Sequence, residues 1–179
     1  MDFIEKDLGD IIWETQQTNE GRKLLSEKGL EISGKTFRHL YLGEYGTCNL
    51  LTLKFIDKYP IITIYELKQK LIDVNTLMQA CVYLKGVKQW VDYHYNYDCD
   101  VDLILIGKEI QINGDLLYLY NELSFVKILT YEIDINGFKF KEASKGWHKT
   151  YEEKLFNIEK INIGFSELRK ICLFTDTPF

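Results

Sequence analysis

The chain has 179 residues, 46% of them hydrophobic and 27% charged, with 12 glycines, 2 prolines and a formal net charge of −5. That length suits one domain with a full core, and the composition excludes disordered, collagen-like and low-complexity classes. The acidic balance excludes a protein that coats nucleic acid through a general excess of Lys and Arg. It leaves room for a local basic groove, or for bound divalent cations that attract a phosphate backbone.

No apolar run approaches the roughly 18 residues that span a bilayer. The stretch Met1-Asp2-Phe3-Ile4-Glu5-Lys6-Asp7 lacks the basic-then-apolar layout of a signal peptide, so a cytoplasmic protein is expected. Cys48, Cys81, Cys99 and Cys172 are scattered, with no CxxC pair or Cys/His cluster, and read as reduced thiols. His39, His94 and His148 are isolated in sequence and receive no role.

Residues 2–15 place Phe3, Ile4, Leu8, Ile11 and Ile12 on one helical face. Residues 18–28 read as a second helix, which Gly29 ends in a left-handed conformation. From Thr36 to Phe55 the pattern is extended around the turn-prone Gly43-Glu44-Tyr45-Gly46, which predicts a β-hairpin. A break follows at Asp57-Lys58-Tyr59-Pro60. The run Ile61-Ile62-Thr63-Ile64-Tyr65 is then apolar and β-branched, as expected of a central strand covered on both faces. It delivers Glu66-Leu67-Lys68-Gln69-Lys70 to the strand's carboxyl end, where sites in open α/β sheets usually lie.

Residues 74–93 carry a helical stripe of Leu77, Cys81, Leu84, Val87 and Val91, with Asp73 or Asn75 as the cap. Val101 to Gly107 is the next buried strand, and a right-handed crossover makes it parallel to the strand ending at Tyr65. Further strands are predicted at Leu116 to Tyr120, Val126 to Ile135 and Phe138 to Lys141, the last two joined at the hairpin signal Asn136-Gly137. Residues 150–160 read as a final exposed helix. No linker, repeat or low-complexity segment is evident, so a single domain over 1–179 is expected.

Three segments carry a family resemblance: Gly43-Glu44-Tyr45-Gly46-Thr47-Cys48-Asn49-Leu50-Leu51, Ile64-Tyr65-Glu66-Leu67-Lys68 and Gln79-Ala80-Cys81-Val82-Tyr83. Together, and in this order of elements, they resemble the PD-(D/E)XK (restriction-endonuclease-like) nuclease superfamily, in its RecB- and Cas4-like branch with a Gln-x-x-x-Tyr helix. The resemblance is strongest over residues 1–107. It implies an α/β fold with a mixed β-sheet core flanked by helices, and hydrolysis of DNA phosphodiester bonds with Mg²⁺ or Mn²⁺. Specificity lies in the combination, since Glu-x-Lys recurs at Glu152-Glu153-Lys154 in what reads as a solvated helix.

Phosphodiester hydrolysis needs an attacking water, a cation to neutralise charge developing on the phosphate, and a positioned group to help deprotonate the water. Hard Mg²⁺ suits carboxylate and carbonyl oxygens. The resemblance makes Glu66 a metal ligand, with the Leu67 backbone carbonyl as a second. Strand alternation puts Glu66 and Lys68 on one face, so that Lys68 would orient the water or stabilise hydroxide. The plain alternative is an exposed Glu/Lys pair at a strand end. Gln79 and Tyr83 lie one helical turn apart and would contact substrate phosphate or brace the catalytic strand; otherwise they are a half-buried polar pair. Glu5, on the first helix, matches an occasional helical Glu of the superfamily that completes the metal site, against the alternative of an ordinary surface residue.

The departure is Asn49, which stands where the resemblance calls for a metal-binding Asp. An amide oxygen binds Mg²⁺ weakly and brings no charge. Three expectations follow: a weakened nuclease that borrows Glu44 or Glu5, a catalytically inactive nuclease-fold protein that binds nucleic acid or a protein partner, or an introduced Asp-to-Asn change. A further expectation is a homodimer through the aromatic-rich stretch holding Tyr118, Tyr120, Phe125, Tyr131, Phe138, Phe140 and Trp147, residues that otherwise belong to the core.

Overall fold

The computed structural model describes residues 5–95, 99–111, 114–135 and 137–145. The chain divides into two compact units, residues 1–143 and 144–179, and the fold described here is that of the first. The predicted helix over 150–160, Trp147, His148 and Cys172 lie outside the described residues.

The unit is an α/β fold built on a six-stranded mixed sheet. Two helices, α1 (Glu5–Thr15) and α2 (Asn19–Glu27), precede the strands β1 (Lys35–Tyr41), β2 (Thr47–Ile56) and β3 (Tyr59–Leu67), with a 3₁₀ turn (Gly43–Tyr45) between β1 and β2. Then come a short β4 (Leu71–Ile72), the long α3 (Val74–Tyr95), β5 (Asp100–Gly107), a short β6 (Glu109–Ile110), α4 (Gly114–Glu122), β7 (Val126–Asp134) and β8 (Gly137–Glu142). The sheet order is β1-β2-β3-β5-β7-β8, and β4 and β6 form a small parallel pair of their own. Strands β1, β2 and β3 are antiparallel, β3, β5 and β7 are parallel, and β8 returns antiparallel to β7.

The central strand is longer than predicted. The break is confined to Asp57 and Lys58, both with positive φ (49° and 71°), a two-residue turn whose twist suits a tight hairpin. Pro60 sits inside β3 opposite Phe55, one position before the β5 ladder begins at Ile61↔Asp100, so its missing N–H is not needed there.

The predicted strand at Leu116 to Tyr120 is instead helix α4. Its buried residues, Leu116 and Tyr120, are four apart, and Tyr118 between them is exposed, which is helical and not alternating spacing. The topology requires a crossover here, because β5 and β7 are parallel neighbours and no tight turn can join them.

Two clusters of buried side chains cover the two faces of the sheet. On one face, Ile62 and Ile64 of β3 and Leu103 and Leu105 of β5 pack beneath Leu77, Ala80, Tyr83 and Val87 of α3. On the other, Tyr65, Leu67, Ile106 and Tyr131 pack against Leu8 and Ile12 of α1. Burial of this apolar surface is the main term holding the layers together. Two predicted faces shift. Ile11 is exposed rather than part of the α1 core face, and Ala80, Tyr83 and Gly86 join the buried stripe of α3, while Cys81 and Leu84 are only partly buried. Among the described residues no helix is long and apolar enough to cross a membrane. Of the aromatic residues expected at a dimer face, Tyr120, Tyr131 and Phe140 are buried in the core.

Candidate active site

The carboxyl end of β3 is fixed from both sides. Its β5 neighbour accepts the Lys68 N–H at Ile106 O (2.8 Å), which holds the chain straight beyond Leu67. On the β2 side the backbone ladder ends at Leu50↔Tyr65, and the next donor, Leu67 N–H, goes to Asn49 Oδ1 at 3.0 Å. The Asn49 side chain thus stands in for a backbone carbonyl where the strands part. Leu67 is buried, and a donor left unpaired there would carry a desolvation cost.

Glu66 is 1% exposed, on a strand position of the same parity as Ile62 and Ile64 and so on the α3 face. Lys68 Nζ donates to Glu66 Oε1 at 2.9 Å and to Gln79 Oε1 at 3.1 Å, and Gln79 Nε2 donates to the Tyr83 hydroxyl at 2.5 Å. Helix α3 is aimed at this point by its cap: Asp73 Oδ1 accepts the Thr76 N–H at 2.8 Å, which also lowers the Asp73 pKa. Of the two predicted caps, Asp73 is the one that accepts a helix N–H, and Asn75 donates to Asp73. Glu66, Lys68, Gln79, Tyr83 and Asn49 are therefore brought to one place.

Glu66 Oε2 is buried and has no hydrogen-bond partner among the described residues. Burial pushes the Glu66 carboxyl up from its usual range; Lys68 pulls it back only in part, and the Glu5 carboxylate adds to the rise. For Lys68, burial alone would lower the ammonium, but the Glu66 carboxylate outweighs it and the net direction is up, with Glu5 contributing in the same sense. Glu5, partly buried at the start of α1, thus acts on both members of the pair through its charge. Glu44, the other carboxylate suggested as a substitute ligand, is exposed on the 3₁₀ turn.

Among the described residues no group of three or more His, Cys, Asp or Glu side chains gathers as a metal cage. The oxygens that do gather are hard donors: the open Glu66 Oε2, the Asn49 amide oxygen with one lone pair used by Leu67, and the charge of Glu5 close by. An orphaned buried carboxylate oxygen fits a divalent cation of the Mg²⁺ or Mn²⁺ kind, which needs few protein ligands and keeps several waters.

Sequence reasoning missed the neighbourhood of Tyr45. Its ring lies on Gly86 of α3, where a Cβ would come within 2.7 Å of it, and its hydroxyl hydrogen-bonds Gln89. The signal was present in a glycine at the middle of a 22-residue helix, a position that weakens the helix unless something must approach closely. Comparison with protein-family models finds no match, and comparisons with curated proteins and with solved structures find none either.

Proposed function

We propose that the chain is a metal-dependent nuclease of the PD-(D/E)XK type that hydrolyses DNA phosphodiester bonds, with Glu66 and Lys68 at its centre. The observation that carries this is the state of Glu66, a carboxylate buried at the end of the central strand with one oxygen on Lys68 and the other without a partner among the described residues. A fold gains nothing in stability from such an oxygen, so a ligand is the economical reason for it. The order of elements up to β5, with three antiparallel strands, the α3 crossover and a parallel strand, agrees with what the resemblance implies.

Glu66, the Leu67 carbonyl, Asn49 and Glu5 would hold Mg²⁺ or Mn²⁺, which when bound supplies positive charge to the phosphate and lowers the pKa of a water. Lys68 carries a fixed positive charge beside Glu66 and is one-quarter exposed, so its ammonium can hold the attacking water and stabilise hydroxide as the proton leaves. Gln79 fixes Lys68 by accepting from it, and Tyr83 fixes Gln79.

A second reading has its own support. Asn49 spends its oxygen on Leu67 N–H and brings no charge, which suits a nuclease fold kept for binding nucleic acid or a protein after cleavage was lost. Calorimetric titration with Mn²⁺ separates the two. The nuclease reading expects binding that Glu66→Ala abolishes; no heat at millimolar Mn²⁺ for the unaltered chain, with binding restored by Asn49→Asp, supports the second.

A further inference from the structure

The strands that carry the Glu66 site do not stay in step beyond it. The β3–β5 ladder ends with Leu67↔Ile106, and the small β4–β6 ladder begins at Leu71↔Glu109. Between these pairs lie Lys68, Gln69 and Lys70 on one run, against Gly107 and Lys108 on the other. The run with the extra residue is pinned along its length. Lys68 N–H donates to Ile106 O at 2.8 Å, Glu109 N–H donates to Lys70 O at 2.7 Å, and the buried Tyr131 hydroxyl of β7 donates to Gln69 O. Gly107 leaves room for the fit, since a Cβ there would lie 2.7 Å from Ile72 Cγ1.

The mismatch decides where Lys108 falls. In step with the β3–β5 ladder it would stand beside Gln69, and alternation from Leu105 would turn it to the α1 side of the sheet. The shifted ladder sets it beside Lys70 instead. Ile72 and Ile110 pack in the α3-side cluster, so their neighbours Leu71 and Glu109 turn away, and Lys70 and Lys108 return to the side that Glu66 shares. A bulge is a common device for re-aiming a side chain, and bulges gather beside active sites. Both lysines are exposed, and among the described residues neither is in an ion pair. Two ammonium groups side by side on neighbouring strands repel each other, which an anion between them would reverse.

We propose that Lys70 and Lys108 form a phosphate subsite beside Glu66, gripping the DNA backbone next to the phosphate that Glu66 and Lys68 address. The inference deepens the nuclease reading and rests on it for the fate of the bound strand. Lys68 is already committed to Glu66 and Gln79, so a neighbouring phosphate needs cations of its own. Lys70 follows Lys68 by two residues, at most about 7 Å of extended chain. A nucleic-acid backbone presents charge at every step, and lysines that hold its phosphates fix register without reading sequence.

The test is fluorescence anisotropy of a labelled DNA duplex and of its single strand over a salt series in EDTA, which removes hydrolysis from the readout. The variant Lys70→Gln/Lys108→Gln is compared with Lys139→Gln/Lys141→Gln, an exposed pair on the edge strand β8. Loss of two phosphate contacts should shrink the slope of log K against log salt by about 1.8 on duplex or about 1.4 on single strand, with the β8 pair leaving it unchanged. An unchanged slope, an equal fall for the β8 pair, or no DNA binding by the unaltered chain overturns the inference. So does a poly-glutamate peptide that binds through Lys70 and Lys108 where DNA does not. The two readings fail separately. A slope that depends on Lys70 and Lys108, with no cutting in Mn²⁺, keeps the subsite and removes the nuclease. Cutting in Mn²⁺ with the slope intact in Lys70→Gln/Lys108→Gln keeps the nuclease and removes the subsite.

Discussion

The backbone N–H of Leu67 donates to Oδ1 of Asn49 at 3.0 Å, so the Asn49 side chain closes the last contact between β2 and β3. Position 49 is thus an acceptor for the strand and, on the proposed nuclease reading, a ligand for the metal as well.

Asn49→Ala removes the acceptor and leaves the buried Leu67 N–H unpaired, at a cost of about 1–3 kcal/mol. Asn49→Asp keeps an acceptor there. Thermal unfolding in EDTA should place Asn49→Asp near the unaltered chain and Asn49→Ala lower by about 2–4 °C for each kcal/mol lost. Equal melting of all three would mean that the contact contributes nothing to the strand end.

Glu66→Gln should stabilise the protein at neutral pH. The carboxyl is raised above its ordinary value because burial penalises the charge more than Lys68 rewards it. The folded state therefore holds its proton to higher pH than the unfolded chain does, and stability falls as pH rises from the ordinary Glu range through the folded pKa. A neutral Gln avoids that loss. The advantage should be full above the folded pKa and close as pH approaches about 4.3. Denaturant unfolding at a series of pH values checks this, and a variant less stable at pH 7 would show that the Lys68 pair outweighs the burial.

Gly86→Ala would drive a methyl to within 2.7 Å of the Tyr45 ring and 3.0 Å of its Cβ, so the 3₁₀ turn must move off α3. Overpacking of this kind typically costs about 1–3 kcal/mol, although Ala gains roughly 1 kcal/mol over Gly in helix propensity. A net loss of stability is expected, and the double variant Gly86→Ala/Tyr45→Ala should recover most of it. Failure of the second substitution to recover anything would place the strain elsewhere.

Alkaline pH should weaken the fold through two buried groups. Burial pushes the Cys48 thiol up to about 11 and the Tyr65 hydroxyl up to about 12. Both remain protonated in the folded chain after the unfolded chain has lost those protons, so stability falls with rising pH between roughly pH 9 and 12. Cys48→Ser and Tyr65→Phe should each flatten part of that decline in denaturant unfolding, and unchanged curves would contradict the assignment.

Most of the fold was legible because its elements obey local rules. The apolar runs at Ile61 to Tyr65 and Leu103 to Gly107 are nearly continuous, and the first is rich in β-branched residues, as covered strands are; their parallel relation follows from the helix between them. What failed was set by tertiary context. Leu116 to Tyr120 is too short for periodicity to separate strand from helix, and only the parallel β5–β7 pairing decides it. The pairing of Glu66 with Lys68 at the candidate site was legible because strand alternation fixes their common face. The role of Asn49 toward Leu67 was not, since it depends on where the β2–β3 ladder ends.

The most direct measurement is cleavage of single-stranded and supercoiled DNA in Mg²⁺ or Mn²⁺ by the unaltered chain, Asn49→Asp and Glu66→Ala side by side. The nuclease reading predicts cutting by Asn49→Asp at least equal to that of the unaltered chain, and none by Glu66→Ala. No cutting by any of the three, with Asn49→Asp folded and binding Mn²⁺, would contradict it and leave a site that binds without hydrolysing.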